Sequence, residues 1–266
     1  MSFALHSALC LRNNGRRLAT DSMPEANVHI YASAGEAARA CAQRAAELLI
    51  KRLEDADHAT LAVSGGSTPK MMFPVLAASA VDWKRVHLFQ VDERRVPPED
   101  ARSNYRLIHA QLITPSGIPS ENVHRIRGEM WGDAAAERYA EEIQRFFRIA
   151  PGASPVFDVV HRGMGAEGHT ASLFPGEPLI GDVTRLVAAV TVPAAPPERV
   201  TLLPGPLTAA RHTLMLVCGS DKAPALQQVL TRKYEPFHMP AQLGTFGNPM
   251  AEWYTDSAAG ALIRKP

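Results

Sequence analysis

The sequence predicts an α/β fold, a mostly parallel open sheet with helices on both faces in the Rossmann-like manner. Three observations carry that expectation. Short runs of β-branched and apolar residues alternate with segments of helical period. The helices separate consecutive strands too widely for hairpins, so neighbouring strands run parallel through crossovers. Polar, glycine-rich or charged loops follow directly on four of the strand runs, as ligand loops do at the carboxyl edge of such sheets.

Taken in order, Val28–Ala32 reads as a first short strand. Ser33-Ala-Gly-Glu36 has the spacing of a capping box, where hydroxyl and carboxylate each satisfy an orphan N–H. Ala38, Cys41, Ala45, Leu48, Leu49 and Leu53 then recur at helical spacing. Thr60–Val63 is an apolar strand. Pro69, whose missing N–H is harmless in a first turn, opens a helix to about Ser79, which Pro74 is expected to kink or shorten. Val86–Val91 is a strand ending at Asp92-Glu93-Arg94. Ser103–Ile113 and Asp133–Ile149 read as helices, the second with Ala136, Tyr139, Ala140, Ile143 and Phe147 on one face. Phe157–Val160, Leu186–Val192, Arg199–Leu203 and Thr213–Val217 read as strands, and Asp221–Leu230 as a helix. Val192-Pro-Ala-Ala-Pro-Pro197 is a loop within the fold, because α/β elements continue beyond it. The stretch from 233 to 266 shows little periodicity.

The 266 residues are expected to divide into a disordered N-terminal extension, 1–22, and a single α/β domain, 23–266. The extension holds Arg12, Arg16 and Arg17 with no acid before Asp21, a composition shared with transit peptides. Its positive residues follow the apolar stretch, unlike those of a secretory signal. Twenty-eight Lys and Arg against 27 Asp and Glu leave a net charge of +1, which argues against a nucleic-acid or membrane-surface partner. No apolar run approaches the ~20 residues of a membrane span. Three widely spaced cysteines exclude a disulfide framework and CxxC-type zinc sites, and they point to a reducing compartment. The expected setting is cytoplasmic, and the expected assembly a monomer or weak homodimer.

The chemistry lies in the four loops. Ser64-Gly-Gly-Ser-Thr-Pro69 combines a tight backbone turn with a helix N-terminus and two hydroxyls, Ser67 and Thr68, which suits a phosphate monoester. It lacks the lysine of a Walker loop, and a plain capped turn explains its composition equally well. Gly163-Met-Gly-Ala-Glu-Gly168 matches GxGxxG, but the next strand, Leu186–Val192, ends without the acid a dinucleotide site requires. The loop presents His169 at a strand end beside Glu167, so the imidazole is a candidate general base and the carboxylate its orienter. Arg94, Arg199 and Lys222 would each be a solvated charge alone; gathered at one edge they surround an anion. Asp92 and Glu93 are expected to pair with these cations. No HExxH, Cys/His cluster or GxSxG elbow is present.

LAVSGGSTPK (61–70), VDERRVPPEDARSNYR (91–106), FDVVHRGMGAEGHTASLFPG (157–176), PPERVTLLPGPL (196–207) and VCGSDKAPAL (217–226) together resemble the 6-phosphogluconolactonases. The resemblance implies the fold of the sugar-phosphate isomerases and deaminases. It implies a substrate like 6-phospho-D-glucono-1,5-lactone and a place in the oxidative pentose phosphate pathway, with no metal or cofactor. By motif position, Gly65, Gly66, Ser67 and Thr68 would cradle the phosphate, Arg199 and Lys222 would neutralise it, and Arg94 would reach the phosphate or the lactone oxygens. Arg94 and GHTASLFPG distinguish this pattern from the deaminases, which typically carry Tyr and a GHIAFNEP-like run there. Two departures stand out. Glu167 occupies a position usually held by Asp, and His161-Arg162 one usually held by an apolar pair. That second departure implies either a more exposed strand end or an Arg162 that lines the site. A deaminase or isomerase of another sugar phosphate, and a non-catalytic sugar-phosphate sensor, are the alternative readings.

Overall fold

The computed structural model describes residues 26–263, so the expected extension over 1–22 lies outside the described residues. The described strands are β1 (Asn27–Tyr31), β2 (Ala59–Val63), β3 (Val86–Gln90), β4 (Asp92–Arg94), β5 (Val123–His124), β6 (Val159–Arg162), β7 (Val187–Thr191), β8 (Glu198–Leu202), β9 (His212–Val217) and β10 (Ala251–Asp256). Seven of them form a central sheet in the order β1-β10-β9-β6-β2-β3-β5, and every pairing in it is parallel. The helices are α1 (Ala34–Asp55), α2 (Pro69–Ala77), α3 (Asn104–Ile108), α4 (Thr114–Ser116), α5 (Gly132–Phe147), α6 (Pro204–Ala209) and α7 (Ala223–Thr231). None of the described helices is long and apolar enough to cross a membrane.

The two-residue period of the strands sorts the core into layers. Leu61, Val63, Leu88, Val159 and Leu214 point to one face, where they pack under the buried stripe of α1 and under Met72, Phe73 and Leu76 of α2. Ala62, Phe89 and Val160 point to the other, against Tyr139 and Ile143 of α5. Met215, Val217 and Trp253 meet α7 on that same side. The capping box forms at the head of α1: Glu36 N–H donates to Ser33 Oγ at 3.3 Å, and Ala32 N–H donates to Glu36 Oε2 at 3.1 Å. Pro74 is carried inside α2, which ends at Ala77 rather than near Ser79.

Three features depart from the sequence reading. Asp92-Glu93-Arg94 is a strand, not a loop, and joins the two strands read around Leu186–Val192 and Arg199–Leu203 in a separate antiparallel sheet, β4-β8-β7. That small sheet packs its inner face with α5. The aperiodic tail contains β10, which lies inside the central sheet between β1 and β9. Its Glu252, Thr255 and Asp256 are all buried, so polarity masked a strand. Finally, His161 and Arg162 are both wholly buried. The strand end is therefore not more exposed, and the guanidinium points away from the cleft described below, toward Leu243.

Candidate active site

Strand order locates the site. From β2 the chain proceeds outward through β3 and β5, whereas β6 leads to β9 and β10 in the opposite direction. The reversal between β2 and β6 opens a crevice at their carboxyl ends, the usual ligand position in open α/β sheets. The segments following β9, β6, β2 and β3, four adjacent strands, meet around one cleft of about 360 Å³.

Gly65, Gly66, Ser67, Thr68, Asp92, Arg94, His169, Arg199 and Lys222 all line this cleft. Glu167 is not on its wall but stands behind the imidazole, with Oε1 3.0 Å from His169 Nδ1. The contact is short yet lacks hydrogen-bond alignment. Burial works against the Glu167 carboxylate, but its own backbone N–H, His169 and Lys222 favour the charge and bring its pKa below the usual range. The His169 ring stacks on Phe174, with centroids 4.0 Å apart and planes 17° from parallel. Just beyond it, Ala171 takes a left-handed conformation at φ 52°, an uncommon choice for a residue with a side chain, and lines the cleft.

The Gly65–Thr68 turn runs from β2 into α2 along the wall of the cleft. No side chain caps α2, but Pro69 has no N–H, and those of Lys70 and Met71 donate to the Gly66 and Thr68 carbonyls at 3.3 and 3.0 Å, so the turn itself and the Ser67 and Thr68 hydroxyls face the cleft rather than the helix's first-turn donors. Gly65 must be glycine, because a Cβ there would overlap the Asn104 carboxamide. Arg94 and Arg199 are directly opposed across β4 and β8. Arg94 Nη1 donates to Arg102 O at 2.6 Å, and Arg199 Nε donates to Pro196 O at 2.6 Å. Burial, followed by the Arg94 charge, lowers the Arg199 pKa. Lys222 Nζ lies 3.0 Å from Asp221.

Asp92 and Glu93 correct an expectation: neither forms an ion pair with Arg94, Arg199 or Lys222 among the described residues. Asp92 Oδ2 accepts from Ser172 Oγ at 2.8 Å, and Asn104 Nδ2 donates to the Asp92 carbonyl at 2.9 Å. Glu93 accepts from the backbone N–H groups of Arg94, Asn104 and Tyr105 and from the side chains of Gln90 and Ser103. Polar donors thus satisfy both acids, and the two guanidiniums keep their charge for the cleft. Desolvation still pushes Glu93 up, against those hydrogen bonds.

The sequence reading missed Asn104, which lines the cleft, and Ser172 and Phe174, which hold it from behind. Their burial depends on tertiary contacts, and only their place inside the quoted motifs hinted at them. Cys218 also lines the cleft. Burial and the Asp256 charge push its thiol up to about 12, so it is a neutral wall rather than a nucleophile. No group of three or more His, Cys, Asp or Glu among the described residues is placed to hold a metal ion.

Known proteins resemble this chain over most of its length. The profile of the family "Glucosamine-6-phosphate isomerases/6-phosphogluconolactonase" matches residues 32–253. A 6-phosphogluconolactonase of Nostoc sp. is 34% identical over 227 residues, covering 83% of this chain and 92% of its own. A solved 6-phosphogluconolactonase from Trypanosoma cruzi superposes with a TM-score of 0.79 at 25% identity, over 91% of this chain and 98% of that one. A solved monomeric glucosamine-6-phosphate deaminase has a TM-score of 0.74 at 16% identity, over 89% of this chain and 99% of that one, a likeness of fold alone. Motifs, sheet order and relatives converge, and the chain belongs to the family of glucosamine-6-phosphate isomerases and 6-phosphogluconolactonases.

Proposed function

We propose that this chain hydrolyses 6-phospho-D-glucono-1,5-lactone to 6-phospho-D-gluconate in the oxidative pentose phosphate pathway. One observation carries the reading: an imidazole backed by a carboxylate shares a single cleft with Arg94, Arg199, Lys222 and the Gly65–Thr68 turn. That arrangement addresses both ends of a phosphorylated lactone at once.

In the proposed mechanism the Gly65–Thr68 turn, Arg199 and Lys222 hold the phosphate. Its binding energy orients the ring, so that the carbonyl carbon stands before His169. With Nδ1–H turned to Glu167, Nε2 keeps its lone pair and takes a proton from water as the oxygen attacks C1. Arg94 faces the negative charge that grows on the carbonyl oxygen. The tetrahedral intermediate then collapses, the C1–ring oxygen bond breaks, and the imidazolium returns its proton to the departing ring oxygen. Water is consumed, one acid is released, and the enzyme regains its starting state. A metal-independent reaction, a cytoplasmic setting and a monomeric or weakly dimeric protein belong to the same reading.

The test is acid release from freshly generated lactone, with the spontaneous rate subtracted. Wild type is expected to accelerate it, and His169→Ala to lose about 10²–10⁴-fold in kcat with its thermal unfolding unchanged. A folded His169→Ala protein as fast as wild type would remove the imidazole from the mechanism. Because a deaminase shares the fold, ammonia release from glucosamine 6-phosphate is the discriminating control. Stabilisation by ligand without turnover of either compound would favour the sensor reading.

A further inference from the structure

The Arg162 guanidinium is wholly buried at the carboxyl end of β6, immediately before the loop that carries His169. It makes one hydrogen bond, from Nη2 to the Leu243 carbonyl at 2.5 Å, while Nε and Nη1 find no partner. No carboxylate approaches it among the described residues. Burial pulls its pKa down to about 10, so it stays charged at neutral pH. The Tyr234 phenol, the group whose charge would help, is itself pushed up by burial and is neutral there. A buried, uncompensated charge opposes folding, so stability does not explain this residue.

What it touches points elsewhere. Leu243 ends a strap, residues 234–243, that crosses over the loop between β6 and β7. Ala241 N–H donates to the Gly168 carbonyl at 2.9 Å, and Gly176 N–H donates to the Phe237 carbonyl at 2.7 Å. Gly168 lies between Glu167 and His169, has φ 89°, and would place a Cβ 2.8 Å from Met239 Sδ of the strap. The wholly buried Gln242 holds the strap's own shape, accepting from Glu235 N–H and donating to the Val229 and Lys233 carbonyls. The strap is therefore a preformed unit, bonded to the backbone of the imidazole–carboxylate pair on one side and to Arg162 on the other.

We infer that Arg162 is a positioning residue for His169: it ties the 234–243 strap to the carboxyl end of β6, and the strap fixes the backbone of Gly168 and so the aim of the imidazole. The inference rests on the lactonase reading. Arg162 reaches neither the cleft nor the phosphate loops, so its loss should disturb the reacting end and spare binding.

The experiment compares wild type, Arg162→Met and Arg162→Lys in the background-corrected lactonase assay and in thermal unfolding. Arg162→Met is expected to unfold at the same temperature or a few degrees higher, because an apolar chain replaces an uncompensated charge. Its kcat is expected to fall 10–100-fold, the scale of an ångström-sized misplacement, with KM within about threefold of wild type. Arg162→Lys, which keeps a donor for Leu243, is expected to recover part of the lost kcat. Wild-type kcat in Arg162→Met overturns the inference. So does an Arg162→Met protein that fails to fold or melts far below wild type, since the guanidinium would then be structural, and so does a loss expressed mainly in KM. Failure of Arg162→Lys to recover any kcat overturns the link to Leu243. A wild type that does not accelerate lactone hydrolysis overturns the lactonase reading and this role with it; an active wild type matched by Arg162→Met overturns this role alone.

Discussion

Asp158 and Arg162 bracket the same short strand, both buried and both charged, and they are treated in opposite ways. Asp158, at the amino end of β6, accepts from Thr60 N–H at 2.9 Å and from Thr60 Oγ1 at 2.8 Å, and it meets Arg52 at 2.9 Å and Arg211 at 3.2 Å. One carboxylate thereby joins α1, β2 and the entry to β9. Arg162, at the carboxyl end, has a single carbonyl. The contrast separates two uses of a buried charge. At the end away from the cleft it is paired until it holds elements together; at the cleft end it is left short of partners, and its burden falls on the fold while its one bond serves the loop above.

The largest effect expected from this contrast is at the paired end. Asp158→Ala should lower stability by about 3–5 kcal/mol, because it strands buried donors and uncouples three elements. Catalysis well below the melting temperature should persist. A melting temperature within two or three degrees of wild type would break the comparison.

Next comes His161, on the opposite face of β6 beside Phe73, wholly buried and without a hydrogen-bond partner. Burial, and then the charge of Arg162, pushes its imidazole down to about 3. In the unfolded chain it titrates near its ordinary value of about 6.5. The unfolded state therefore binds more protons between those values, so the stabilisation is complete above about pH 6.5 and is lost as pH falls through the interval. The loss should reach about 3 kcal/mol by pH 4. His161→Leu should flatten the acid limb of a melting-temperature profile; an unchanged limb would show that the ring is not held neutral by burial.

The smallest effect expected sharpens the functional end. Glu167 reaches His169 at 3.0 Å without hydrogen-bond alignment, and one methylene fewer would shift the carboxylate by about 1 Å. Glu167→Asp should raise kcat by up to about tenfold and leave KM in place. A fall in kcat would mean that the longer side chain is the better orienter in this loop.

Much of this architecture was legible in the residues. Helical period placed α1 and α5, apolar runs placed β2, β3 and β9, and the polar segments after them gathered as strand polarity requires. The rest was hidden for identifiable reasons. The Asp92–Arg94 strand is local in extent, but its partnership with Arg199–Thr201 across the chain is set by tertiary packing. β10 escaped because Glu252, Thr255 and Asp256 are polar residues that the fold buries; Glu252 is met by Arg44 of α1 and by the Tyr254 hydroxyl of its own strand, and Asp256 by the Gly219 and Ala259 N–H groups. The same blindness misassigned Asp92 and Glu93. Charge alone pairs them with nearby arginines, whereas the fold supplies amides and hydroxyls first.

β10 also bears on how the molecule is made. Among the described residues, Asn27–Tyr31 pairs in a ladder only with Glu252–Asp256, more than two hundred residues further along. At roughly 5–20 residues per second of synthesis, the edge strand emerges from the ribosome and stays unmated for ten seconds or more. Until β10 slots in, β1 and β9 both offer bare amide edges, a state in which nascent chains invite chaperones or one another.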